Sequence, residues 1–238
     1  MDKITKLENK PLVNKPFKAS SYVLDEELKN AVELALQLNQ PLLLTGEPGT
    51  GKTRLAEYAA HLLSQSSNFS EEVLVFNTKT SSRASDLFYS YDALGHFQAS
   101  NIKDLDAAQQ KGTGHFIELQ ALGKAITFTN PDQLNAVSDR LIVEHPGNPK
   151  SYVVLIDEID KAPRDFTNDI LHEIEKLQFE IKELENLPLK SSDDGQHRIL
   201  IIMTSNSEKN LPDAFLRRCL FYHIEFPDQA KLKAILKA

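Results

Sequence analysis

PLLLTGEPGTGKT, residues 41–53, is the most informative stretch of the chain. Its first part, Pro41 to Thr45, is a short apolar run of the kind that fills a buried strand. Its second part, GEPGTGKT from Gly46 to Thr53, fits G-x-x-x-x-G-K-[ST] and opens a stretch, Lys52 to Leu63, whose apolar residues recur at helical spacing. Gly46, Gly49 and Gly51 let backbone amides converge on a phosphate without a Cβ in the way, and Glu47, Pro48 and Thr50 supply the rest of that loop backbone. The helix that follows adds its positive end. Lys52 is expected to reach the β and γ phosphates and Thr53 to hold magnesium. A glycine-rich turn with a surface lysine is the competing reading, and it accounts for neither the strand before the loop nor the helix after it.

On either side of this core the pattern alternates. Leu28, Ala31, Val32, Ala35 and Leu36 predict a helix over 25–38, with Asp25, Glu26 and Glu27 at its positive end. Val73 to Phe76 predicts a strand, and the polar NTKTSSRASD after it a loop at the carboxyl edge of the sheet, where ligands of open α/β sheets bind. Residues 84–150 predict short helices around Leu105, from Ile117 to Ile126 and from Pro131 to Ile142, ended by the breaker run HPGNPK. A strand over Tyr152 to Ile156 and a helix over Pro163 to Leu177 follow. LQFEIKEL alternates like a hairpin strand, with its partner expected beyond the turn at SSDDGQ. Arg198 to Thr204 predicts a strand, Pro212 to Arg217 a short helix, Leu220 to Ile224 a strand and Asp228 onward a helix start. Strands alternating with helices predict an α/β fold with a parallel five-stranded sheet and helices on both faces.

A second acidic element stands at 153–160, VVLIDEID. A carboxylate at the end of a buried strand can hold magnesium or its water shell, and one residue later a second can polarise an attacking water. Asp157 is the candidate metal residue and Glu158 the candidate base. A strand ending in a solvated acidic turn would look the same in isolation.

The glycine loop, the DE pair, the strand ILIIMTSN and the segment LPDAFLRRC together resemble an AAA+ ATPase of the MoxR branch, over about Tyr22 to Phe226. The resemblance implies a P-loop ATPase core at 22–226, after an N-terminal arm at 1–21 and before the start of a helical lid at 227–238. It makes Asn206 the residue that orients the attacking water beside Glu158, and Arg218, with Arg217 as its rival, the arginine finger acting on a neighbouring subunit's nucleotide. That implies a homo-oligomer, a hexameric ring in full form. It also implies a hairpin within His172 to Leu189, and a partner carrying a von Willebrand factor A domain or an effector protein. The family's lid is expected to be absent or truncated at Ala238, with slow hydrolysis as the consequence. The leading function is ATP-driven remodelling, maturation or assembly of a partner complex. A nucleotide-gated switch in a bacterial defence system is the alternative, and a DNA-acting motor ranks third.

Composition narrows the field. A net charge of −7 and no tryptophan argue against a broad nucleic-acid surface or a stacking platform. One cysteine, Cys219, allows no internal disulfide and suggests the cytoplasm, and between Arg218 and an apolar strand it reads as a small buried hydrophobe. No apolar run approaches the roughly 20 residues of a membrane span. HEIEK at 172–176 does not complete H-E-x-x-H, and no zinc site is expected. Tyr22 is either a wall of the adenine pocket or a core residue. NKPL and NKPF lack the acid of the guanine-reading N-K-x-D pattern, which favours ATP.

Overall fold

The computed structural model describes residues 18–101, 112–206 and 211–235. In chain order the elements are α1 (Glu26–Leu38), β1 (Leu42–Thr45), α2 (Lys52–Ser66), β2 (Phe69–Asn77), β3 (Tyr89–Tyr91), α3 (Ala93–Ser100), β4 (Ile117–Leu119), α4 (Ala121–Phe128) and α5 (Pro131–Ala136). Then come β5 (Ser151–Asp157), α6 (Arg164–Asp169), α7 (Leu171–Lys176), β6 (Gln178–Ile181), β7 (Leu187–Lys190), β8 (Ile199–Thr204), α8 (Asp213–Leu216), β9 (Leu220–His223) and α9 (Gln229–Ile235).

Five strands form one parallel sheet in the order β2-β5-β8-β1-β9. The three central strands are apolar along their middles because both faces are covered, and their polar residues stand at the ends. Side chains of a strand alternate between faces, and the packing follows that period. Leu42 and Leu44, Val153 and Leu155, and Leu200 and Ile202 point to one side, where Leu28 and Ala35 of α1 and Leu55, Ala56, Ala59 and Ala60 of α2 meet them. Leu43, Val154, Ile156, Ile201 and Met203 point to the other, against Leu122 and Ile126 of α4, Phe166 of α6, Ile174 of α7 and Phe215 of α8. The doubly covered parallel sheet expected from the strand–helix alternation is present. Because its strands are parallel, the ends of β1, β5 and β8 lie side by side on one edge, and that juxtaposition builds the site.

Several local expectations are corrected. LQFEIKEL does begin a hairpin strand, but β6 pairs with β7, Gln178 opposite Lys190 and Ile181 opposite Leu187, so its partner lies before SSDDGQ. The chain reverses at Glu185 and Asn186, both at positive φ (58° and 56°), a geometry that asparagine favours and glutamate does not. Phe179, Ile181, Leu187 and Leu189 then all bury on one face. Within the helix expected at Ile117 to Ile126, the first three residues form β4, antiparallel to β3, because Ile117 and Leu119 bury around an exposed Glu118 at period two. The helix expected to reach Ile142 stops at Ala136, where Val137 (φ −117°, ψ 15°) leaves the helical region. The helix expected over Pro163 to Leu177 is present as α6 and α7, ended by Leu177 in the left-handed conformation (φ 47°). The helix expected around Leu105 falls outside the described residues, as does most of the 1–21 arm, of which Ala19–Ser21 form a short 3-10 turn. Among the described residues no helix is long and apolar enough to cross a membrane.

Candidate active site

At the end of β1 the chain turns at Gly46 (φ 138°), where a Cβ would stand 2.3 Å from the Ile224 carbonyl oxygen just past β9. Only glycine lets the loop start so close to that edge strand. The loop closes at Gly51 (φ 92°), which begins α2 with no side-chain cap and with no acid in the first turn. The Lys52, Thr53 and Arg54 amides precede the first helical bond, which runs from the Leu55 amide to the Gly51 carbonyl. Lys52 is 7% exposed, and its Nζ donates to the carbonyl oxygens of Gly46 (2.8 Å) and Glu47 (3.0 Å). Burial lowers its pKa, against the opposing pull of Asp157, Asp160 and Glu158. The ammonium therefore folds back onto its own loop and borrows carbonyl oxygens.

Across the crevice, β5 delivers Asp157 and β8 delivers Thr204. The Thr53 hydroxyl donates to Asp157 Oδ1 at 3.1 Å and the buried Thr204 hydroxyl donates to the same oxygen at 2.5 Å. Thr204 Oγ1 in turn accepts from the Glu158 amide at 2.9 Å. One hydroxyl thus ties β8 to the acidic turn and holds Glu158 in a left-handed conformation (φ 57°, ψ 48°) that a non-glycine residue adopts at a cost. The Glu158 carboxylate receives Lys161 Nζ at 2.5 Å, and the Asn206 amide donates to Asp160 Oδ1 at 3.3 Å.

Lys52, Thr53, Asp157, Glu158, Thr204 and Asn206 line one cavity of about 370 Å³ together with Pro48, Gly49, Gly51 and Arg54. A second cavity of about 250 Å³ adjoins it, walled by Tyr22, Leu28, Ile224 and, from α9, Lys231 and Ile235, with Gly49, Thr50, Gly51 and Arg54 facing the first. Tyr22 packs against the core and also borders this second cavity. Its ring packs 5.5 Å from that of Tyr58 and against the α1–α2 core, while its edge lies over Gly51 beside the cavity. Burial, then the nearby Asp25 carboxylate and Tyr222, push its hydroxyl up to about 12. The Thr53 hydroxyl and Asp157 carboxylate are hard oxygen donors at hydrogen-bond distance from each other, a pair that suits magnesium, which keeps most of its waters and takes one or two protein oxygens.

Arg217 and Arg218 are not brought to this site. Both are exposed at the end of α8, where Arg218 Nη1 donates to the Ala214 carbonyl (3.0 Å) and its Nε lies 3.6 Å from Glu175. Cys219 packs half-buried against the core, with burial raising its thiol to about 12. Sequence reasoning missed Thr204, whose signal was a hydroxyl ending a five-residue apolar run, and Lys161, three residues after Glu158. It also missed the triple use of Asp25, which caps α1 through the Leu28 amide (2.8 Å) and binds Lys231 Nζ (2.8 Å) and the Tyr222 hydroxyl (3.3 Å).

Three comparisons bear on this arrangement. The family model described as AAA domain (dynein-related subfamily) matches residues 41–219. Midasin of Dictyostelium discoideum is 38% identical over 60 residues, which cover 25% of this chain and 1% of midasin. The crystal structure of a "putative ATPase" from Cytophaga hutchinsonii superimposes with a TM-score of 0.53 at 14% identity, over 92% of this chain and 52% of that one. At that identity the likeness is one of fold. The chain spans about half the length of that structure and a small fraction of midasin.

Proposed function

The chain belongs to the AAA domain family, in its dynein-related subfamily, and from that premise we propose that it binds ATP with magnesium and hydrolyses it to ADP and phosphate. The cycle would remodel, mature or assemble a partner protein complex. The observation that carries this reading is the single cavity onto which Lys52, Thr53, Asp157, Glu158 and Asn206 converge from three adjacent strand ends. Lys52 exchanges the Gly46 and Glu47 carbonyls for phosphate oxygens. Thr53 and Asp157 hold magnesium, which neutralises charge on the phosphate oxygens when bound. Glu158 accepts the proton of the attacking water, and Asn206 orients that water. An exposed arginine just after α8, Arg218 or Arg217, serves the site of a neighbouring copy. Within the family we read the chain as MoxR-like, on the β6–β7 hairpin, which falls almost wholly within the His172 to Leu189 stretch where the resemblance expects one.

The test is a pair of variants. Lys52→Ala should lose ATP binding, measured by calorimetry, and Glu158→Gln should keep binding while turnover falls by about a hundredfold or more. ATP affinity unchanged in Lys52→Ala would overturn the assignment. The alternative is a nucleotide-gated switch, in which ATP occupancy rather than turnover matters. Cellular function that survives Glu158→Gln intact would select the switch.

A further inference from the structure

Away from the glycine loop, a cavity of about 630 Å³ is lined from α7, the β6–β7 hairpin and the turn before β3. It shares no lining residue with the two cavities beside Gly51. Its size falls within the roughly 300–1,000 Å³ of small-molecule sites. The apolar part of its wall is Phe88, Phe179 and Leu189, all buried, with the rings of Phe88 and Phe179 stacked at 5.2 Å.

Most polar groups of the wall have partners or water. Gln133 donates through Nε2 to the Pro188 carbonyl (3.2 Å) and accepts the Lys190 amide at Oε1 (3.0 Å), so it is spent on the edge of β7. The Tyr89 hydroxyl accepts the Lys182 amide (3.2 Å), and Lys190 Nζ donates to Asp193 (2.6 Å). Asp169, Glu180 and Lys182 are exposed, and water solvates them. Glu173 is the exception. Its Oε2 is buried, and among the described residues no donor reaches it. The other buried side-chain atom in that state among the described residues, Thr78 Oγ1, belongs to a neutral hydroxyl and does not line this cavity.

A buried acceptor left without a donor costs the desolvation of its group, and a charged group costs more than a neutral one. Folding gains nothing from placing a carboxylate oxygen there. An occupant of the cavity that carries its own donor removes the cost, and a cationic donor removes most of it, because charge-assisted hydrogen bonds are the strong ones. The stacked rings beside it offer a flat apolar surface to the rest of such a molecule.

We propose that this cavity binds a small organic cation, an amidinium or ammonium group on an apolar body, with the charged group donating to Glu173 and the body lying against Phe88 and Phe179. The site is separate from the nucleotide crevice and does not depend on the ATPase reading. Its ligand is selected twice, by charge at Glu173 and by shape at the aromatic wall.

The experiment titrates the full chain with benzamidine, with its neutral counterpart benzamide and with the anion benzoate, by calorimetry and by amide chemical shifts. Benzamidine should bind with a dissociation constant of about 1 mM or tighter, moving the amides of residues 172–173 and 178–180. Benzamide and benzoate should bind at least about tenfold more weakly, and Glu173→Gln should weaken benzamidine by about tenfold or more. Thermal unfolding without ligand separates binding from a structural role. Glu173→Gln replaces a buried charged acceptor by a neutral one and should melt at or above the wild-type temperature. No binding of benzamidine, equal binding of benzamide, shifts confined to other residues, affinity unchanged in Glu173→Gln, or a variant that melts below the wild type overturns the proposal.

Discussion

Helices α1 and α2 cover the same face of the sheet and begin in opposite ways. At the start of α1, Asp25 accepts the Leu28 amide, and Glu26 and Glu27 complete an acidic first turn. At the start of α2, Gly51 caps nothing, no acid follows, and the first turn carries Lys52 and Arg54. The better-buried helix has the worse beginning: Leu55, Ala56 and Ala60 of α2 are fully buried, whereas α1 buries only Leu28 and Ala35. Packing secures α2 and leaves its amino end free to be completed from outside. The end of α1 is completed by its own sequence. A helix start that opposes the ordinary charge rule is in keeping with the phosphate site proposed above, because local rules give way at functional sites.

The contrast is broken most forcefully at Gly46. Gly46→Ala places a Cβ against the Ile224 carbonyl oxygen at a φ of 138°, and it should destabilise the fold by on the order of 3 kcal/mol and abolish ATP binding, read by urea unfolding and by calorimetry. A neutral outcome would mean that the loop is not clamped to β9 and that α2 is not positioned by it. A gentler probe is hydrogen exchange. With ATP at a hundred times its dissociation constant, the Lys52, Thr53 and Arg54 amides should exchange about a hundredfold more slowly, equivalent to ~2.7 kcal/mol. The Leu28 amide, already held by Asp25, should not respond. Equal protection of both helix starts would erase the distinction between them.

The parts of the molecule that were legible in sequence are those whose signal is contiguous. GEPGTGKT follows its strand and opens its helix without interruption, and Asp157 and Glu158 end an unbroken apolar strand. The three central strands were readable because burial on both faces confines their polar residues to the strand ends. β3 and β4 were not, because each is three residues long and their pairing spans residues 89 to 119. β7 was hidden by Pro188 and by a reversal built from a glutamate and an asparagine rather than a glycine. Thr204 and Lys161 escaped for a different reason. A hydroxyl or a lysine near a strand end is common, and only the parallel register that sets β8 beside β5 shows which groups these two hold.

The smallest expected effect sharpens the comparison from the α1 side. Asp25→Ala removes a cap and should cost ~1 kcal/mol. Burial pushes the Asp25 carboxyl up, but the hydrogen bonds from Lys231, the Leu28 amide and Tyr222, with the charge of Lys231, outweigh it and hold its pKa below the ordinary 3.8. The unfolded chain takes up that proton near 3.8 and the folded chain only at lower pH. The ionised carboxylate therefore contributes its full stability above 3.8, and the contribution fades as pH falls through the lower folded value. Unfolding by urea at stepped pH should show a constant gap between wild type and Asp25→Asn from pH 7 to about 5, narrowing below about 4. A gap that persists undiminished in acid would show that Asp25 does not act through its charge, and α1 would lose the self-made cap that sets it apart from α2. The first turn of α2 has no carboxylate to titrate, so its stability should not follow this acid dependence.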